Sequence, residues 1–356
     1  MTNSVADAAE DLDRVAAGPA PLHSGRWLIL ALLTAAMAVS FVDRYALSML
    51  IQPIKAELAL SDTAIGLATG IAFSAFYATA GLVMARLADR GAHRRIIIGS
   101  LLVWSVMTAL CGAAQNFWHL LLARFGVGAG EAGVAPASHA MISTLFPVSQ
   151  RTTALAVFSA AGPLGILIAF VISAPLEAQL GWRWAFAVLG LPGLVLGAIF
   201  LATGRLVRID APRRSSTALP PSWLRDVRAL LGNPLYRNVL FTVSALALLT
   251  FGQTQWLPAY MERSFALPRA EIGPMMAMTQ GIGMFAGTLA GGVVFDWLAV
   301  RDERWRARLL LFCLVGGLPL VIGVYSVGNG MLAASLAGAG AFMLAIPSGQ
   351  LWSAAE

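Results

Sequence analysis

The chain is poor in charge. Asp, Glu, Lys and Arg make up 12% of its 356 residues, about half the share of a soluble domain. It has a single lysine, Lys55, and its other 23 basic residues are arginine. The two cysteines, Cys111 and Cys313, both lie in apolar runs. They read as small buried hydrophobes, which argues against a disulfide framework or a thiolate metal site. There are four scattered histidines, with no HExxH, no Walker lysine motif and no Cys/His cluster. This sets aside a membrane-embedded enzyme, and with it any metal or organic cofactor. The first 25 residues carry Asp7, Glu10, Asp11 and Asp13 and lack the apolar core of a signal peptide, so residues 1–26 read as a disordered tail. Alternating segments of ~10 residues are missing as well, which excludes a transmembrane barrel.

Apolar length is what the chain has in abundance. Hydrophobic residues reach 58%, mean hydropathy is +0.75, and successive runs approach the ~20 residues that cross a bilayer as a helix. The runs fall at 27–51, 64–86, 95–114, 118–142, 153–176, 184–204, 238–259, 273–298, 307–327 and 330–352. The expected fold is an all-α polytopic membrane protein. A pI near 10.0 does not indicate nucleic acid, because the arginines cluster in short loops beside the spans. Arg26, the group Arg86, Arg90, Arg94 and Arg95, then Arg151, the seven arginines from Arg205 to Arg237, and Arg301 to Arg308 all fall on one side. Lys55, Arg183, Arg263 and Arg269 fall on the other. The positive-inside rule then puts the N-terminus and the long middle loop in the cytoplasm, and the expected location is a bacterial inner membrane.

That loop, 205–237, contains Pro212, Pro220 and Pro221 and divides the chain into 27–204 and 238–356. Within it, 223–231 reads as a short amphipathic helix on the bilayer surface. The two parts look related. A shift of 207 residues places Ala59-Leu60 on Ala266-Leu267, Ile65-Gly66 on Ile272-Gly273, Leu82 on Leu289 and Asp89 on Asp296. Such internal symmetry is what a transporter built of two repeated halves leaves behind. The first part has six spans and the second four, so the expectation is an incomplete second half lacking about two helices.

Four charges sit inside the spans: Asp43 and Arg44 in the first, Arg124 and Glu131 in the fourth. Each ionised group costs at least ~2.5–3.5 kcal/mol at a bilayer centre, so each is a candidate functional residue. Arg124 and Glu131, seven residues apart, share a helix face. Asp43 and Glu131 are read as proton-coupling carboxylates, and Arg44 and Arg124 as a seat for an anionic group. The bland alternative is a static Asp43–Arg124 ion pair holding two helices together. Tyr45, Tyr77, Gln253 and Trp256 are further candidates for a substrate-binding wall. His139 is read as a core histidine. Gly283, Gly287 and Gly291 are read as a close-packing seam.

Between spans two and three the sequence runs Ala85-Arg-Leu-Ala-Asp89-Arg90-Gly-Ala-His93-Arg94-Arg95. This resembles the loop signature of the major facilitator superfamily, with Ala85 and Ala92 in place of its glycines and His93 in place of an arginine. Span four, Arg124-Phe-Gly-Val-Gly-Ala-Gly-Glu131, is similar to the superfamily's fourth-helix motif. Ala161-Gly-Pro-Leu-Gly165 and Gly181-Trp-Arg-Trp-Ala-Phe186 are similar to its fifth helix and the entry to its sixth. Phe41-Val-Asp-Arg44, Gly130-Glu-Ala132 and Trp256-Leu-Pro-Ala259 resemble its spinster-like branch, whose eukaryotic members include exporters of lysolipids. The resemblance implies a secondary active transporter that works by alternating access, as a monomer, with Asp89, Arg90, Arg94, Arg95 and Asp296 as gating residues. The solute expected is a small organic anion or an amphiphile, with proton coupling. The alternative is a non-transporting or sensor-like product of the same fold.

Overall fold

The computed structural model describes residues 25–203, 228, 231–299 and 304–347. The expected tail therefore lies almost wholly outside the described residues, as does most of the middle loop. Of the surface helix expected at 223–231, only Arg228 and Leu231 are described.

Among the described residues the secondary structure is helical. A chain whose side chains dissolve in lipid must satisfy its own backbone hydrogen bonds, and the helix does so within one segment. The first part comprises α1 (Arg26–Glu57), α2 (Asp62–Asp89), α3 (His93–Gly112), α4 (Phe117–Glu131), α5 (Val134–Leu145), α6 (Val148–Ser159) and α7 (Ala161–Thr203). The second comprises α8 (Pro234–Phe265), α9 (Arg269–Met276), α10 (Ile282–Ala299), α11 (Arg304–Gly323) and α12 (Gly330–Ala345). Five stretches are long and apolar enough to cross a membrane, among them Arg26–Glu57 and Ser149–Thr203.

Two local breaks shape the first part. Span four, read from sequence as one helix, is two, because Ala132 and Gly133 form a turn between α4 and α5. The cause is Pro136. It has no N–H for the carbonyl of Ala132, and its ring crowds that carbonyl. Glu131 therefore ends one helix rather than lying in the middle of another. The second break is at Gly181, whose φ of 73° and ψ of 163° separate the fifth and sixth spans within α7. The chain turns there in the left-handed region that glycine tolerates without steric cost.

The repeat is visible in the backbone. Among the described residues, the non-glycine residues with positive φ are Ala59 (52°) and Ala266 (50°), the very pair that the 207-residue shift superimposes. Each is followed by a helix that opens into a π-helical turn, Leu67–Ile71 in α2 and Ala277–Gly281 between α9 and α10. Further on, Asn116 caps α4 by accepting from the His119 amide, and Asn329 caps α12 by accepting from the Leu332 amide. The packing partners repeat too. α3 lies on α4 and α2 on α4, just as α11 lies on α12 and α10 on α12. The expected glycine seam is present in this last contact, where Gly283, Gly287 and Gly291 face the α12 segment at Gly338, Phe342 and Ile346.

An alanine in the left-handed region bears a steric penalty of roughly 1–2 kcal/mol, part of which glycine gives back as unfolded-chain entropy. Ala59→Gly and Ala266→Gly should therefore each raise thermal stability in detergent slightly, by less than ~1 kcal/mol. Valine at either site should lower it. Tryptophan-fluorescence melting reads both.

Candidate functional site

The charged site is built by α1, α3 and α4. Asp43, Arg124 and Glu131 each retain 1% of their exposure, although α4 carries almost nothing else that is polar at this level. Glycine brings α4 close to its neighbours. A Cβ on Gly130 would stand 2.6 Å from the Trp104 amide nitrogen of α3, and one on Gly128 would stand 2.6 Å from the Phe73 carbonyl of α2. Arg124 and Glu131 are thus held against both helices.

The pairing differs from the Asp43–Arg124 pair weighed above. Glu131 Oε2 accepts from Arg44 Nη2 at 2.5 Å and from Ser40 Oγ at 2.8 Å. Ser40 and Arg44 are four residues apart and share one face of α1. Asp43 Oδ2 instead accepts from Thr108 Oγ1 of α3 at 2.6 Å. Asp43 and Arg124 form no direct ion pair, although both lie in the same buried cluster. Four polar atoms in this cluster are buried without a hydrogen-bond partner besides Arg44 Nε: Asp43 Oδ1, Glu131 Oε1, and Nε and Nη1 of Arg124.

Aromatic faces line the guanidiniums. Arg44 lies 4.7 Å from the Phe73 ring, 5.1 Å from Tyr77 and 5.3 Å from Phe41. Arg124 lies 5.4 Å from the same Phe73 ring, so one phenyl ring serves both cations by cation–π attraction. Of the other candidates, half-buried Tyr77 joins this box. Tyr45 stacks on Phe41 and meets Phe251 of α8 edge-on at 5.7 Å. Gln253 is buried with Nε2 unpartnered. Trp256 packs on the apolar cluster that joins α1, α2, α4 and α7. His139 meets the Phe158 ring in the core of the first part. Ser40, Thr108 and Phe73 were not singled out in the sequence. Hydroxyls and phenyls in apolar runs give no signal until the rotation of each helix is known.

The expected gating loop lies at the end of the bundle away from Glu57. Asp89, Arg90 and Arg95 are exposed. Arg94 reaches the carbonyls of Phe200 and Leu201, at the C-terminus of α7, where a cation complements the helix dipole. Asp296 lies in α10, and its side chain is outside the described residues.

The opposite end is tied across the two parts. Asp62 accepts from Arg263 at 2.7 and 2.9 Å and from Lys55 at 2.7 Å. Arg269 donates to Glu177 at 3.0 Å and to Glu262 at 2.9 Å. A third group lies within the first part. Glu57 accepts from Trp182 Nε1 at 2.5 Å and Arg183 Nε at 2.9 Å, while Arg183 Nη1 binds the Gly112 and Ala114 carbonyls. Every basic residue assigned by sequence to this side is therefore in an ion pair.

The major facilitator superfamily model matches residues 33–355. The chain belongs to the major facilitator superfamily. It is 33% identical over 307 residues to an MFS-type efflux pump of Mycolicibacterium smegmatis, covering 86% of this chain and 71% of that protein. It is 26% identical over 312 residues to the sphingosine-1-phosphate transporter SPNS2 of Mus musculus, covering 82% of this chain and 55% of that one. Its fold matches the crystal structure of a bacterial homologue of the human lysosomal transporter Spinster in an inward-facing, unoccupied conformation. The TM-score is 0.76 at 24% identity, over 94% of this chain and 75% of the other. The spinster-like resemblance read from helices one, four and seven therefore stands. These proteins are membrane transporters and not enzymes.

Removing one partner of a buried ion pair costs ~3–5 kcal/mol, because the other charge is stranded. Arg44→Gln or Glu131→Gln should each lower the melting temperature sharply, and the double variant by less than the sum. A double-mutant cycle in detergent checks this. At the opposite end the ion pairs are half exposed and worth about 1 kcal/mol or less each. Ser48 is buried in α1 between Arg44 and the ion-paired end at Glu57, its hydroxyl on the Tyr45 carbonyl. Asp62→Asn should make a cysteine introduced there by Ser48→Cys, in a Cys111→Ala/Cys313→Ala background, several-fold more reactive to an impermeant maleimide.

Proposed function

We propose that this transporter moves an organic anion, small or amphiphilic, together with a proton, by secondary active transport through the buried cluster. The observation that carries the reading is the cluster's charge balance. Two guanidiniums and two carboxylates sum to zero in a site from which water is almost excluded, yet Arg124 still has two unpartnered nitrogens, Nε and Nη1. An arginine with free donors in a low-dielectric site is a strong attractor for a carboxylate or phosphate.

Coupling follows from the same sum. An anion at Arg124 brings the cluster to net negative, and an uncompensated buried charge costs several kcal/mol. Protonation of Asp43 or Glu131 restores neutrality. Asp43 is the nearer partner, since Thr108 and the field of Arg124 are what hold its charge. Once the anion draws the Arg124 field to itself, Asp43 loses that support. Glu131 keeps Arg44 and acts as the second acceptor. One anion then travels with one proton, and neither is favoured without the other.

The ends of the bundle supply the gates. The end holding Asp62, Arg263, Glu177 and Arg269 is closed across the halves, and the end holding Asp89 and Arg90 is exposed. With the arginine-rich loops in the cytoplasm, this is an inward-facing arrangement in a bacterial inner membrane, and the mover is a single chain. Relatives that carry a phosphorylated amphiphile support an anionic solute.

Reconstituted protein tests the reading. Under an inward proton gradient, vesicles should accumulate the anion, and a proton ionophore should abolish the accumulation. Asp43→Asn should leave exchange of the anion intact while removing its dependence on the gradient. Arg124→Gln should raise the KM by about 10–100-fold, the worth of a charge-assisted hydrogen bond. Gradient-driven uptake that survives Asp43→Asn sinks the coupling role.

A further inference from the structure

Among the described residues, α8 and the segment from Ile272 into α10 carry no charge at the level of the cluster. Residues 238–261 and 272–295 contain no Asp, Glu, Lys or Arg. They contain instead three buried glutamines, each with at least one amide atom lacking a partner. Gln255 has neither Oε1 nor Nε2 partnered, Gln253 lacks a partner for Nε2, and Gln280 lacks one for Oε1. Their exposures are 4%, 7% and 1%. A buried amide group left unsatisfied costs ~1–3 kcal/mol. A glutamine that served to cross-link helices would have its partners in place, so four bare atoms on two neighbouring elements call for another occupant.

Their placement is that of a wall facing the charges. α8 packs on α1, and its Phe251 meets Tyr45, the residue next to Arg44. Gln255 is four residues beyond Phe251 and therefore on the same face of α8. Gln280 lies in the π-helical turn Ala277–Gly281, a local widening that re-aims side chains and recurs at functional sites. Depth agrees as well. At 1.5 Å per residue, Gln253, Gln255 and Gln280 lie about 15–18 Å from the ion-paired ends of their helices. Asp43, Arg44, Arg124 and Glu131 lie about 10–21 Å from the same end by that measure.

We infer that Gln255 and Gln280 form a neutral amide subsite for the body of the anion, and that this body carries several hydroxyl or amide groups rather than bare hydrocarbon. An amide both donates and accepts, as a hydroxyl does, so each can satisfy the other without charge. A hydrocarbon body would leave both amide atoms of Gln255 and Oε1 of Gln280 bare and forfeit that energy. This rests on the reading of Arg124 as the anion seat and adds what the rest of the solute must be.

The test uses the full chain purified in detergent and two acids of equal length and charge, gluconate and hexanoate, with thermal shift as readout. The wild type should bind gluconate about tenfold or more tightly than hexanoate. Gln255→Leu and Gln280→Leu should each weaken gluconate about tenfold, leave hexanoate unchanged, and melt without ligand at the wild-type temperature or higher. Equal binding of the two acids, binding of neither, or a preference that survives both leucine variants overturns the proposal. So does a clear loss of unliganded stability in those variants, which would mark the amides as structural cross-links. Arg124→Gln separates the two readings. It should weaken both acids alike, and gluconate binding that survives it sinks the anion seat but leaves the amide wall standing.

Discussion

The cost of keeping an ionised group out of water governs this molecule. One charge at the bilayer centre is unfavourable by kilocalories, and four are tolerable only if their fields cancel and their hydrogen bonds are met. Arg44 and Glu131 meet that condition directly, with Ser40 as second donor to the carboxylate. Asp43 and Arg124 meet it only in part, through Thr108 and the Phe73 ring. The cluster is therefore half settled and half open. The settled pair holds α1 to α4, and the open pair retains the free donors and acceptor that chemistry needs.

The scaffold around it follows from this requirement. Helices must come close enough for short side chains such as Ser40 and Thr108 to reach across, and the small residues of α4 allow it. Gly128 and Gly130 admit backbone from two neighbours where any Cβ would collide. Pro136 then ends α4 immediately after Glu131, which gives that carboxylate a helix terminus rather than a helix interior as its environment. In lipid no hydrophobic force drives one helix onto another, so close packing and interhelical hydrogen bonds carry the association. The charged cluster is at once the candidate site and part of the adhesive of the first half.

How far this was legible in the sequence depends on which physical variable each feature reports. Charge in an apolar run needs no geometry to be noticed, so the four residues stood out. The repeat was legible for a deeper reason than matching letters, because Ala59 and Ala266 occupy the same strained left-handed turn. Pro136 was in plain view, and its effect on Ala132 follows from covalent geometry, yet the apolar run around it masked the break. The pairing itself was not legible. Whether Glu131 meets Arg44 or Asp43 meets Arg124 depends on the rotation of α1 against α4, and adjacent residues differ by about 100° in that phase. The role of Arg94 was likewise open, since a basic residue near a helix end can face a carboxylate or a helix C-terminus, and here it takes the carbonyls.

The ion pairs at the far end show why a half-exposed network suits its place where a buried one would not. Asp62 shares two cations and Arg269 shares two carboxylates, so the two groups carry opposite excess charge at one mouth. Each pair is weak because water reaches it. Under the proposed alternating access, a gate of this kind holds one arrangement by a few kilocalories at most, which a bound solute can outweigh. Burying the same residues would make the closed state too deep to leave, since breaking a dry ion pair strands both charges. The molecule places its dry pair, Arg44 with Glu131, inside one half, where nothing has to separate. It places its wet pairs between the halves, where something does.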